Sequence, residues 1–144
     1  MKKLLTFALF VALFSSACKK EVVLTNAQIL QGKVWKLSAA TENGTAAAIP
    51  TCTLDDKFTF SVSGSYEHNY GTTKCSGDPN TTSGNWSVDE ATKVLKIVTT
   101  VLTVNKTSTY TIKSISATSF VLAYEISTLG GSTKQVEETY VPAQ

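Results

Sequence analysis

The chain has 144 residues, enough for one domain with a real core, and a formal net charge of +2. Lys2 and Lys3 carry that excess; beyond them 11 lysines face 11 acids, and there is no arginine. Without a basic stripe or an Arg to read phosphates and base edges, the composition argues against a nucleic-acid partner.

Met1-Lys2-Lys3 is basic, Leu4 to Phe14 is apolar apart from Thr6, and the small residues Ser15-Ser16-Ala17 run into Cys18. The apolar run is too short for a permanent membrane span and has the build of a secretory signal. An ordinary cleaved signal with an accidental Cys, or a transmembrane anchor, are the alternatives. Small residues leading into a Cys resemble the lipobox of bacterial lipoproteins, although Ser15 stands where that family prefers Leu or another aliphatic residue. The resemblance implies a signal peptide over 1–17 and a lipidated Cys18, with acyl chains such as palmitate. It also implies an acylated tether over 18–25. More than one acyl chain gives lasting attachment, whereas one alone is marginal. Lys19, where Asp would imply inner-membrane retention, implies the outer membrane, with the domain periplasmic or surface-facing.

Thr25-Asn26-Ala27-Gln28 fits a capping box, which predicts a short helix over about 26–31 that stops near Gly32. A helix this short needs support, which Leu24, Ile29 and Leu30 would supply by lying against one end of the domain.

From Val34 onward the period changes to two. Trp35, Leu37 and Ala39 predict a first strand; Asn43-Gly44 is turn-like, and 46–53 reads as a long loop. Phe58, Phe60 and Val62, then Tyr66, His68 and Tyr70, form a hairpin about Ser63-Gly64. After the polar stretch 71–84, Trp86 and Val88 mark a strand, followed by one with Leu95, Ile97 and Val101. Asn105-Lys106 looks like a turn before Tyr110, Ile112 and Ile115. Phe120, Leu122, Tyr124 and Ile126 alternate cleanly; Gly130-Gly131 turns the chain into Val136, Glu138 and Tyr140. The expectation is an all-β domain over 26–144 with a short N-terminal helix. Eight consecutive antiparallel strands would form an up-and-down barrel. A two-sheet sandwich is the rival, because 42–56 and 71–84 are long enough for Greek-key crossings.

With Cys18 assigned to lipid, Cys52 and Cys75 remain, one on each loop flanking the 58–70 hairpin. In an exported chain, folding that hairpin brings its outer ends together and predicts a disulfide. No metal site is expected, since His68 is the one histidine.

Leu30-Gln31-Gly32-Lys33-Val34-Trp35-Lys36-Leu37, Asp56 to Phe60, Gly64-Ser65-Tyr66, Gly84 to Val88 and Phe120-Val121-Leu122 together resemble the lipocalin-like domain of small bacterial lipoproteins. The resemblance spans about 25–141. It implies a calyx-like antiparallel barrel that holds a small apolar ligand. Two departures stand out: Gly32 and Trp35 have two residues between them rather than one, and the basic residue that lipocalins lay across this Trp, commonly Arg, cannot be Arg here.

Tyr66, His68, Tyr70, Tyr110, Phe120, Tyr124, Glu138 and Tyr140 share the parity of the apolar residues on their strands. Tyr and His join an apolar body to a polar tip, so a barrel lined with them suits an apolar ligand with a polar head. The alternative is that these tips are simply solvated at the rim. Asp55-Asp56 and Glu137-Glu138 are adjacent pairs that, on strands, face opposite sides and cannot share a substrate. No catalytic group, metal or cofactor is expected. The leading expectation is a monomeric, membrane-anchored carrier of a small hydrophobic ligand. The alternative is a non-catalytic envelope module with a filled barrel that meets protein or glycan.

Overall fold

The alternating segments become strands because one face of each carries side chains that leave water. The computed structural model describes residues 23–101 and 104–144; the leader and Cys18 lie outside them. Described are a helix α1 (Asn26–Leu30), a single 3-10 turn (Thr51–Thr53) and nine strands. The first five strands are β1 (Val34–Glu42), β2 (Thr45–Ala47), β3 (Lys57–Phe60), β4 (Ser65–Asn69) and β5 (Thr81–Asp89). The others are β6 (Val94–Val101), β7 (Val104–Ile115), β8 (Phe120–Ser127) and β9 (Thr133–Pro142).

β3 to β9 pair in sequence, β1 pairs with β3, and β1 also pairs with β9, all antiparallel. Eight strands therefore close into an up-and-down barrel rather than a two-sheet sandwich. The ninth strand is β2, inside the segment expected to be loop. It folds back on β1 through Asn43 and Gly44, both at positive φ, with Glu42 opposite Thr45. Asn-Gly is the preferred pair for such a two-residue turn.

Other departures from strict alternation have local causes. A β-bulge between Leu37 and Ala39 turns Ala39 outward and brings Ala40 opposite the inward Glu138. A second bulge, between Ile112 and Ser114, puts Ile115 back on the inner face, opposite Phe120. Val62 is 79 % exposed, because the chain has already turned: Ser61 N–H donates to Ser65 O and Gly64 N–H to Ser61 O. Asn105 and Lys106 lie within β7, not in a turn, opposite Thr100 and Thr99. Leu24 is half exposed and adds little to the packing of α1.

One end of the barrel is closed. Leu30, Trp35, Phe60, Trp86, Leu95 and Phe120 are buried there. The capping box forms, with Thr25 Oγ1 accepting from Gln28 N–H at 3.2 Å and Gln28 Oε1 accepting from Thr25 N–H at 2.9 Å. Glu90, in the β5–β6 turn, accepts from Asn26 N–H at 3.0 Å and Ala27 N–H at 2.9 Å. Its carboxylate thus satisfies the two foremost orphan donors of the helix and complements its dipole. The Trp35 indole donates to Leu30 O at 2.9 Å, and Lys33 Nζ sits 5.4 Å above the Trp35 ring centre while donating to Ala117 O. A five-residue helix unable to stand alone is therefore fixed at both ends.

Candidate functional site

The other end is organised by two loops. Residues 48–56 join β2 to β3, and residues 70–80 join β4 to β5. Cys52 and Cys75 are bonded across them, with Cα atoms 5.0 Å apart. Asp55 adds a second tie. Its Oδ2 accepts from Thr72 N–H at 2.7 Å, Thr72 Oγ1 at 2.9 Å and Thr73 N–H at 3.1 Å. The backbone N–H groups of Thr72 and Thr73 lead in holding its carboxyl below the usual carboxylate value. Gly71 makes this approach feasible: at φ 63° it bends the chain, and a Cβ there would fall 2.4 Å from the Asp55 carboxyl carbon.

Between these loops and the barrel wall lies an open recess of about 380 Å³. Phe58, Tyr110, Tyr124 and Tyr140 give it aromatic walls, and Leu37 and Pro50 add aliphatic surface. Its polar groups come from Thr53, Asp56, His68 and Glu138. Beneath it the barrel is almost full: the space between Phe58, Phe60, Tyr66 and Phe120 amounts to about 40 Å³. Side chains of a small eight-stranded barrel suffice to fill it, so no continuous calyx runs to the closed end.

The polar groups are held in two sets. Glu138, on β9, accepts from Tyr124 Oη at 3.0 Å and from Tyr140 Oη at 2.6 Å. Burial, with Glu138's negative charge added, raises the phenol pKa values of Tyr124 and Tyr140, which therefore remain donors at neutral pH. Burial likewise raises Tyr66 and Tyr110. In the second set His68 Nε2 lies 2.8 Å from Asp56 Oδ2, and the imidazole is stacked between Phe58 (4.3 Å) and Tyr70 (3.8 Å). Asp56 is 3 % exposed, and its Oδ1 has no hydrogen-bond partner among the described residues.

The wall is also open on one side. β7 and β8 pair only from Ile115–Phe120 to Thr111–Ala123. Beyond that the rings of Tyr110 and Tyr124 meet edge to face at 5.3 Å, and a cleft of about 390 Å³ begins beside them, bordered by Lys106, Ser108 and Ile126.

The residues singled out by parity divide between these levels. His68, Tyr110, Tyr124, Glu138 and Tyr140 line the recess. Tyr66 and Phe120 lie below it in the packed core, and Tyr70 backs His68 and bonds to Thr82 Oγ1 at 3.2 Å. Glu137 faces outward, 3.6 Å from Lys113, as its parity requires. Parity missed Asp56 as a recess residue, although it stands two places before Phe58 and so points the same way. Thr53 and Pro50 had no periodic signal to reveal them. An aromatic enclosure with a few oriented polar groups is the chemistry of a small-molecule binding site. Among the described residues no hydroxyl or thiol hydrogen-bonds to His68, and no cluster of three or more His, Cys, Asp or Glu is placed to hold a metal.

The chain is similar in structure to bovine odorant-binding protein, solved in complex with a selenium-containing odorant. The two share 12 % identity over 88 % of this chain and 78 % of that one, with a TM-score of 0.43. Comparison with curated proteins gave no match. The model of the lipocalin-like domain matches residues 30–122, from the buried Leu30 beside Trp35 to Leu122 in the barrel core, and the chain belongs to that family.

Proposed function

We propose that the protein is a membrane-anchored, extracytoplasmic binding protein whose open-end recess holds a small hydrophobic ligand with a polar head. The observation that carries this reading is the recess itself. Four aromatic side chains and few, oriented polar groups surround about 380 Å³, within the range of small-molecule sites. The rim is pre-formed, because the disulfide and Asp55 fix both loops before any ligand arrives. Native mass spectrometry of the purified protein, with titration of a fluorescent apolar probe, tests it. A retained small molecule, or probe binding that Tyr124→Ala weakens at least fivefold, is expected. No retained molecule together with no probe binding contradicts it.

The anchoring part rests on the leader and Cys18. Replacing Cys18 with Ser should release the protein from membranes or block its maturation; unchanged membrane attachment contradicts a lipid anchor.

The filled interior favours a second reading, a structural or interaction module of the envelope. It predicts that neither a retained ligand nor an apolar probe occupies the recess.

A further inference from the structure

We infer that the recess selects a ligand whose polar head is an organic cation, such as a protonated amine, with Asp56 and Glu138 as its counter-charges. This rests on the recess being the ligand site. The first observation is Asp56, a carboxylate only 3 % exposed that lines the recess, with Oδ2 engaged by His68 and Oδ1 without any donor among the described residues. A buried carboxylate oxygen left without a donor is costly, and a ligand N–H is the kind of group that would relieve it. The second is Glu138, a carboxylate that also lines the recess, each oxygen accepting one phenol O–H and retaining capacity for a further donor.

The rest of the lining agrees in sign. The ring faces of Phe58, Tyr110, Tyr124 and Tyr140 are electron-rich and attract a cation placed over them. Among the described residues no lysine lines the recess, and Lys134 is occupied by Glu42 at 2.6 Å. A ligand carboxylate would therefore meet the like charges of Asp56 and Glu138, while the one basic side chain of the lining, His68, is engaged by Asp56. A neutral apolar ligand would leave Asp56 Oδ1 as it is. A metal ion is disfavoured by the donor set, since no third ligating side chain joins Asp56 and His68 among the described residues.

The test is calorimetric titration of the purified protein at pH 7 with three probes of one length: octylamine, 1-octanol and octanoate. The amine is expected to bind at least tenfold more tightly than the alcohol, and octanoate more weakly than either. Asp56→Asn should bring octylamine to within about twofold of octanol. Glu138→Gln, which keeps the hydrogen-bonding shape and removes the charge, should weaken octylamine severalfold; it decides the point if Asp56→Asn does not fold. Octanol or octanoate binding as tightly as octylamine overturns the cation inference and leaves the binding function standing. Failure of all three probes, together with failure of the apolar probe, overturns both.

Discussion

At the closed end, Leu30, Trp35 and Phe120 are at most 1 % exposed, and the polar atom they bring inside, the Trp35 indole N–H, ends on a backbone carbonyl. At the open end aromatic rings are just as dense, but each carries or touches a polar group. Tyr124 and Tyr140 converge on Glu138, and His68 lies on Asp56 between two rings. The same eight strands supply both ends. The difference lies in the inward residues that succeed one another as each strand rises: Phe60 gives way to Phe58 and then Asp56, and Tyr66 to His68. The lower half is built for packing density, the upper half for oriented polar contacts on a rim fastened by a disulfide and a hydrogen-bonded carboxylate. Stability should therefore reside below and recognition above.

Breaking the lower end should have the largest effect. Trp35→Ala removes the fully buried plug and its bond to Leu30, and should cost about 3–5 kcal/mol in denaturant melts, enough to unfold a marginal domain. Opening the disulfide with Cys52→Ser and Cys75→Ser should cost about 2–4 kcal/mol through the freed unfolded chain. Because those residues tie only the rim, probe affinity should fall in that variant even under conditions where the barrel remains folded. Gly84→Ala tests the wall between the two halves. A Cβ there would come within 2.1 Å of Val98 O, backbone that cannot step aside, and about 1–3 kcal/mol should be lost in thermal melts. Glu90→Ala frees two helix N–H groups at the closed end and should cost about 1 kcal/mol, with no change in probe binding.

The smallest expected effect is a pH dependence at the rim. Asp55 is held below its ordinary value when folded, so the unfolded chain takes up the proton first as pH falls. Its contribution is complete above the unfolded carboxylate value of about 4 and is lost as pH drops through the folded one. The stability difference between wild type and Asp55→Asn should shrink between pH 6 and pH 3. An equal difference at both pH values contradicts the tie.

Much of this architecture was legible because period-two alternation reports burial directly: Trp35, Phe58, Phe60, Trp86, Leu95, Phe120 and Leu122 all face inward. Alternation fails where backbone insertions shift parity. The bulges at Ser38 and Lys113 leave no mark in residue type, so period two alone puts Ala39 inward and leaves Ile115 off the parity of Tyr110 and Ile112. Asn105-Lys106 has turn composition, but pairing with Thr100 and Thr99 keeps it in β7. β2 was hidden because Thr45-Ala46-Ala47 has neither alternation nor bulk; its partner β1 and the Asn43-Gly44 turn make it a strand. At the site, parity found Tyr110, Tyr124, Glu138, Tyr140 and His68, but it says nothing of height along the barrel. That is why Tyr66 and Phe120, on the same faces, lie under the recess rather than in it. Loop residues such as Pro50 and Thr53 reach the recess through tertiary ties that no local period encodes.

The central claim is that ligand occupies the open end above a filled core. Backbone amide chemical shifts recorded during titration with the apolar probe test it most directly. The account predicts perturbations gathered at 51–58, His68, Tyr110, Tyr124, Glu138 and Tyr140, with Leu30, Trp35 and Trp86 unmoved. Perturbations centred on Trp35 and Trp86, with the rim silent, would contradict it.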